Sequence, residues 1–187
     1  MQPHGWRAEM RRFALISKRR TMASALISLM GVAAVAAQSA DVVGQAFADH
    51  CFSPYLTEQK AQDTLKPSGA RVDFYDLRPF SSAAPSPVTG RAATPGTDRR
   101  CEVAFDGTAL QNARDWIIIG LTQERLLDRQ IDVPAEFPLS PHTTHAAAVQ
   151  LNPNRIAVTQ IGIRPGPNGV ETYLSVERLT PLNEEDS

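Results

Sequence analysis

His50 and Cys51 stand side by side in AFADHCFSPYL, residues 46–56, and three chemistries use such neighbours. A thiol beside an imidazole is the nucleophile and base of a cysteine hydrolase. The same side chains ligate zinc, and a cysteine in an exported chain is commonly half of a disulfide. Spacing argues against the hydrolase, because successive helical residues point about 100° apart and the imidazole would not face the thiol. The only other cysteine is Cys101. We therefore expect a Cys51–Cys101 disulfide closing a loop of about 50 residues, which removes the thiolate that a nucleophile or a metal site would need.

His142 and His145, in PHTTHAAAVQ, are the one histidine pair at helical spacing. Read as a short helix capped by Ser140, with Pro141 first, they share a face and could share a transition metal if a third ligand joined them. No carboxylate stands at a supporting spacing, since Glu136 precedes Pro138. The pair is a candidate metal or hydrolase site, with exposed polar histidines as the plainer alternative. Arg91, Arg99 and Arg100 sit in or at the exit of a Pro-, Gly- and Ser/Thr-rich stretch and form a candidate contact loop for an anion, against a simply solvated basic loop. The chain has no Gly-x-Ser-x-Gly elbow, HExxH helix, CxxC pair or Walker loop, so no catalytic residue is assigned and no cofactor is expected.

The N-terminus decides where this chemistry would take place. Residues 1–20 carry six basic residues and one acidic one, and Met22–Ala37 is an uncharged apolar run ending in small residues. That is the pattern of a secretory signal peptide cleaved near Ala37, and sixteen residues are few for a membrane span of roughly 20. Met10 and Met22 are alternative starts. Beyond Ala37 the chain has 150 residues, with 13 basic and 19 acidic, a net charge of about −6. That balance excludes nucleic acid as a partner and argues against docking on an anionic bilayer or stable membrane insertion after cleavage. A protein or small-molecule partner is left open.

The elements that must position these residues follow from periodicity. Val43, Phe47 and Cys51 define one face of a first helix, and SPYLTEQKAQDTL restarts a second from a Ser53 cap. RVDFYDL and CEVAFDG read as strands, with Cys101, Val103 and Phe105 facing the core. Residues 79–99 between them read as a long flexible loop. A helix follows from Thr108, broken near Gly120, with Leu110, Ala113, Ile117 and Leu121 inward. RIAVTQIGIRPGPNGVETYLSVERL reads as a hairpin turning at Asn168-Gly169, with a bulge near Gln160 or Gly162. Residues 181–187 are an acidic tail. The fold class is α+β: one domain over 38–180, an antiparallel sheet of about four strands with helices on one face and a C-terminal hairpin.

The stretches DRRCEVAFDG and PGPNGVETYLSVERL resemble those of small exported alphaproteobacterial proteins without an assigned activity. That resemblance implies export and a paired-cysteine domain, and carries no catalytic motif. The expected function is that of an exported, non-enzymatic binding or accessory domain, contacting partners through the 79–99 loop or the hairpin edge. The alternative is a small metal- or His-dependent hydrolase using His142 and His145.

Overall fold

The structure, a computed structural model, describes residues 40–78 and 91–180. The expected leader, residues 79–90 of the expected loop and the acidic tail lie outside those residues. Helix α1 covers residues 40–50 and α2 Glu58–Thr64, followed by a 3₁₀ turn at Lys66–Ser68. Strands β1 (Arg71–Asp76) and β2 (Thr97–Asp106) precede helix α3 (Leu110–Gln123). Strands β3 (Gln130–Ile131), β4 (Thr143–Asn152), β5 (Arg155–Gly166) and β6 (Gly169–Leu179) follow. All six strands form one antiparallel sheet in the order β1-β2-β6-β5-β4-β3.

The fold is therefore α+β as expected, with six strands among the described residues where about four were expected. One of the additional strands is β4, where a helix was expected from residue 140. The run of three alanines there favours helix, but propensity is worth less than about 1 kcal/mol per residue, and pairing with β5 along the strand's length overrides it. The local signal was Asn152-Pro153-Asn154, a turn between two β-rich runs, in which Asn152 Oδ1 accepts from Asn154 N at 3.0 Å. The expected bulge is in β4 as well. Strand β5 keeps an unbroken register with β6, whereas Thr144 is the extra residue between the pairs Thr143↔Gly162 and His145↔Ile161. Val158 is buried with Ala148 and Phe137 in a small cluster on the opposite face of the sheet from Ile161. The C-terminal hairpin supplies two central strands, so it offers no open edge.

The main core lies between the helices and one face of the sheet. Val72 and Phe74, Cys101, Val103 and Phe105, and Leu174 and Val176 share a parity and pack with Val43, Phe47, Trp116 and Leu121. Helix α2 starts four residues later than expected. Ser53 and Pro54 form a turn, and Thr57 is the cap, its hydroxyl accepting from Lys60 N. Helix α3 runs through Gly120 unbroken.

Gly120 serves packing. Helices α1 and α3 lie side by side in the same direction: Asn112 donates to Asp41 at one end and Gln123 to Asp49 at the other. Each contributes a glycine to the contact. A Cβ on Gly44 would meet the Trp116 ring at 1.9 Å, and one on Gly120 would meet Phe52 at 2.2 Å. Gly120→Ala is therefore expected to destabilise despite better helix propensity, since overpacking costs about 1–3 kcal/mol against a propensity gain of about 1 kcal/mol. A urea midpoint equal to or above that of the parent chain would show that Phe52 can move aside.

Candidate functional site

The two faces of the sheet treat their charges differently, and the difference singles out the site. On the face away from the helices, charged residues of β1, β2, β5 and β6 form one alternating series with Arg91. It runs from Asp106 through Arg71, Glu171, Arg164, Glu102, Arg91, Asp73 and Arg100 to Glu177. Most links are 2.6–3.0 Å, and the last, Arg100 to Glu177, is 3.6 Å. Arg100 and Arg164 also lie over the Tyr75 and Tyr173 rings. Burial lowers the Arg91 and Arg164 pKa values, yet Glu102 and the other carboxylates raise both above the ordinary value. Burial pushes the Glu177 carboxyl up, and Arg100 only partly offsets it. A hollow of about 260 Å³ lies here, but its arginines already face carboxylates.

The helix face ends differently. At the C-terminal ends of α1 and α3 a cavity of about 440 Å³ opens, lined by Arg78, Arg125, Arg129, Arg155 and Arg178 together with Phe52, Pro54, Glu124, Leu126, Leu151 and Asn152. Behind Arg178 lies its cross-strand neighbour Arg99, only 1% exposed. Arg78 pairs with Asp76, and Arg155 with Asp98. Among the described residues no carboxylate pairs with Arg99, Arg125, Arg129 or Arg178.

These four side chains are not all idle. Arg178 donates to the Phe52 carbonyl at 2.7 Å, Arg99 to the Leu56 carbonyl at 3.2 Å, and Arg129 to the Leu151 carbonyl at 3.2 Å. Arg99 also lies 5.5 Å from the Phe74 ring centroid. Carbonyls satisfy donors and fix the α1–α2 connection, but they carry no net charge. Among the described residues, Arg99 Nε and Nη1 have no hydrogen-bond partner. The electrostatics run opposite to those of the other face. Burial first, and then Arg178 and Arg78, push the Arg99 guanidinium down to about 9, and Asp76 and Glu124 offset this only in part. Burial with Arg78 and Arg155 pushes Arg178 down to about 10. Burial and Arg78 also lower Arg155. Holding two like charges together out of water costs several kcal/mol per ion unless a counter-charge is present.

Local structure places the rim. Helix α3 ends in a Schellman turn: Leu126 N donates to Leu121 O at 2.8 Å, and Arg125 N to Thr122 O at 3.1 Å. The left-handed position in that turn, usually glycine, is occupied by Arg125 with φ 56°. A strained arginine at the mouth of an arginine-lined cavity fits a role in binding better than one in stability.

The residues singled out from sequence are dispersed. Cys51 and Cys101 form the disulfide, with Cα atoms 5.5 Å apart, between the end of α1 and the core side of β2. His142 precedes β4 and His145 lies within it, so helical spacing does not apply, and both are exposed. Among the described residues no group of three or more His, Cys, Asp or Glu is placed to hold a metal ion. Arg99 and Arg100 belong to β2 and point to opposite faces of the sheet, and Arg91 bonds Glu102 and Asp73. Of the expected contact loop's three arginines, only Arg99 stands behind the cavity. No protein-family model matches the chain, and no curated protein or solved structure matches it either.

Proposed function

We propose that the chain is an exported binding domain that takes a small anionic ligand into the cavity at the ends of α1 and α3. Export is supported by the leader pattern before Gln38 and by the disulfide, which suits an oxidising compartment. Among the described residues no helix is long and apolar enough to cross a membrane. The observation that carries the ligand class is the buried cross-strand pair Arg99↔Arg178, which forms no ion pair with a carboxylate among the described residues. Non-enzymatic binding needs no further group, whereas the hydrolase alternative would need the two exposed histidines to gather a third ligand.

Calorimetric titration with sulfate, against sodium chloride at matched ionic strength, tests this reading. The mature chain is expected to bind sulfate stoichiometrically. Arg129→Gln, which removes a rim charge, is expected to weaken binding about threefold to fivefold, the scale of one partly exposed charge pair. Matched ionic strength separates site binding from screening. If neither sulfate nor any other multivalent oxyanion gives heat above the chloride control, the arginines serve only as caps for the α1–α2 connection.

A further inference from the structure

We infer that the ligand is a phosphomonoester: a phosphoryl dianion carried on a small organic body. The inference rests on the anion-binding reading, and narrows it on three grounds. The first is charge. Six arginines gather at this end of the sheet (Arg78, Arg99, Arg125, Arg129, Arg155 and Arg178), against Asp76, Asp98 and Glu124, which leaves a formal excess of three. A single carboxylate would leave most of that excess in place, whereas a dianion removes the greater part.

The second ground is donor geometry. Every cation in the lining is arginine, although lysine would supply the same charge. Guanidinium forks suit an oxyanion that offers several oxygens at once. Arg178 and Arg99 are direct cross-strand partners, with Cα atoms about 5 Å apart by that geometry, so one tetrahedral group beside Arg178 sits in the field of both. The third ground is size. About 440 Å³ is far more than one phosphate group needs, and Phe52, Pro54, Leu126 and Leu151 give an organic body apolar wall to cover.

The test uses the mature chain and four probes: glycerol 3-phosphate, inorganic phosphate, sulfate and succinate, each titrated calorimetrically at pH 7.5 and pH 5.0. Glycerol 3-phosphate is expected to bind tightest at pH 7.5, about tenfold tighter than inorganic phosphate, the scale of burying one or two methylene-sized groups. Its affinity is expected to fall about tenfold at pH 5.0, because the second phosphoryl ionisation lies near pH 6, while sulfate remains unchanged or binds more tightly.

The protein's own groups cannot imitate that fall. Glu124 is the one acidic residue in the lining, Asp76 and Asp98 pair with its Arg78 and Arg155, and His50 closes α1 two residues before Phe52. Proton uptake by a carboxylate or an imidazole can only add positive charge, which favours an anion. The arginines stay charged throughout the interval.

Arg125→Gly keeps the question open to a folded variant, since glycine accepts the left-handed position at Arg125 without strain. It is expected to bind glycerol 3-phosphate about threefold to fivefold more weakly. Succinate or sulfate binding as tightly as glycerol 3-phosphate at pH 7.5, or a flat pH response, overturns the phosphomonoester and leaves the anion reading standing. Inorganic phosphate equal to glycerol 3-phosphate overturns the organic body. Binding of none of the four overturns both, and an unchanged affinity in Arg125→Gly removes the rim from the site.

Discussion

A chain carrying both Cys51→Ala and Cys101→Ala is expected to lose about 4 kcal/mol of stability. The bridge spans 50 residues of sequence, and closing a loop of that length restricts the unfolded chain by about this amount. Domains of this size are stable by about 5–15 kcal/mol, so the loss is a large share of the whole. Both sulfurs lie in the core, and no other covalent link ties α1 to the sheet. The consequence extends to the cavity. Cys51 adjoins Phe52, whose carbonyl takes Arg178, and Cys101 follows Arg99 by two residues on the same face of β2. Urea unfolding with and without reductant should give the double variant and the reduced parent the same lowered midpoint. A change of less than about 1 kcal/mol would mean that packing of Val43, Phe47 and Phe74 holds α1 on the sheet without the bridge.

The scaffold was more legible in the sequence than the site, for a physical reason. Periodicity reports burial along one element, so Val43, Phe47 and Cys51 marked the inner face of α1, and Cys101, Val103 and Phe105 that of β2. Asn168-Gly169 marked the hairpin, where Gly169 takes φ 120°. Strand β4 was hidden because its three alanines favour helix by themselves, and pairing with β5 overrode that preference. The cavity was hidden because its arginines come from positions 78 to 178, each unremarkable among its neighbours. Two signals were nevertheless present. Beyond residue 37, 11 of the 13 basic residues are arginine, unusual for charge that only needs solvation. The alternation that put Cys101 inside also put Arg99 inside once β2 was extended upstream, because residues two apart on a strand share a face. Ending the strand at Cys101 left Arg99 in a loop and concealed a buried cation that lacks a paired carboxylate.

Arg99→Met is expected to make the ligand-free protein more stable by up to about 2 kcal/mol while weakening anion binding by more than tenfold. The direction follows from what the guanidinium does in the apo fold. It lies beside Arg178, is nearly sealed from water, and leaves Nε and Nη1 without partners. Replacing a buried ion pair or triad by apolar side chains of similar volume is commonly neutral or stabilising by about 1–4 kcal/mol, and a buried cation beside another cation has less to lose. Methionine is flexible enough to fill the channel beside Phe74 without forcing its neighbours. Against this stands the hydrogen bond to the Leu56 carbonyl, whose loss costs about 1 kcal/mol, and the Phe74 contact, worth about as much. Removing the charge also frees Arg178 from its nearest repulsion. A residue kept for folding alone would give the opposite sign, because stripping a compensated buried cation costs about 3–5 kcal/mol. Urea midpoints measured in chloride, with no multivalent anion present, separate the two. A more stable variant that no longer binds glycerol 3-phosphate would identify Arg99 as charge retained for a ligand. A destabilised one would mean that Asp76, Glu124 and the Leu56 carbonyl already compensate it.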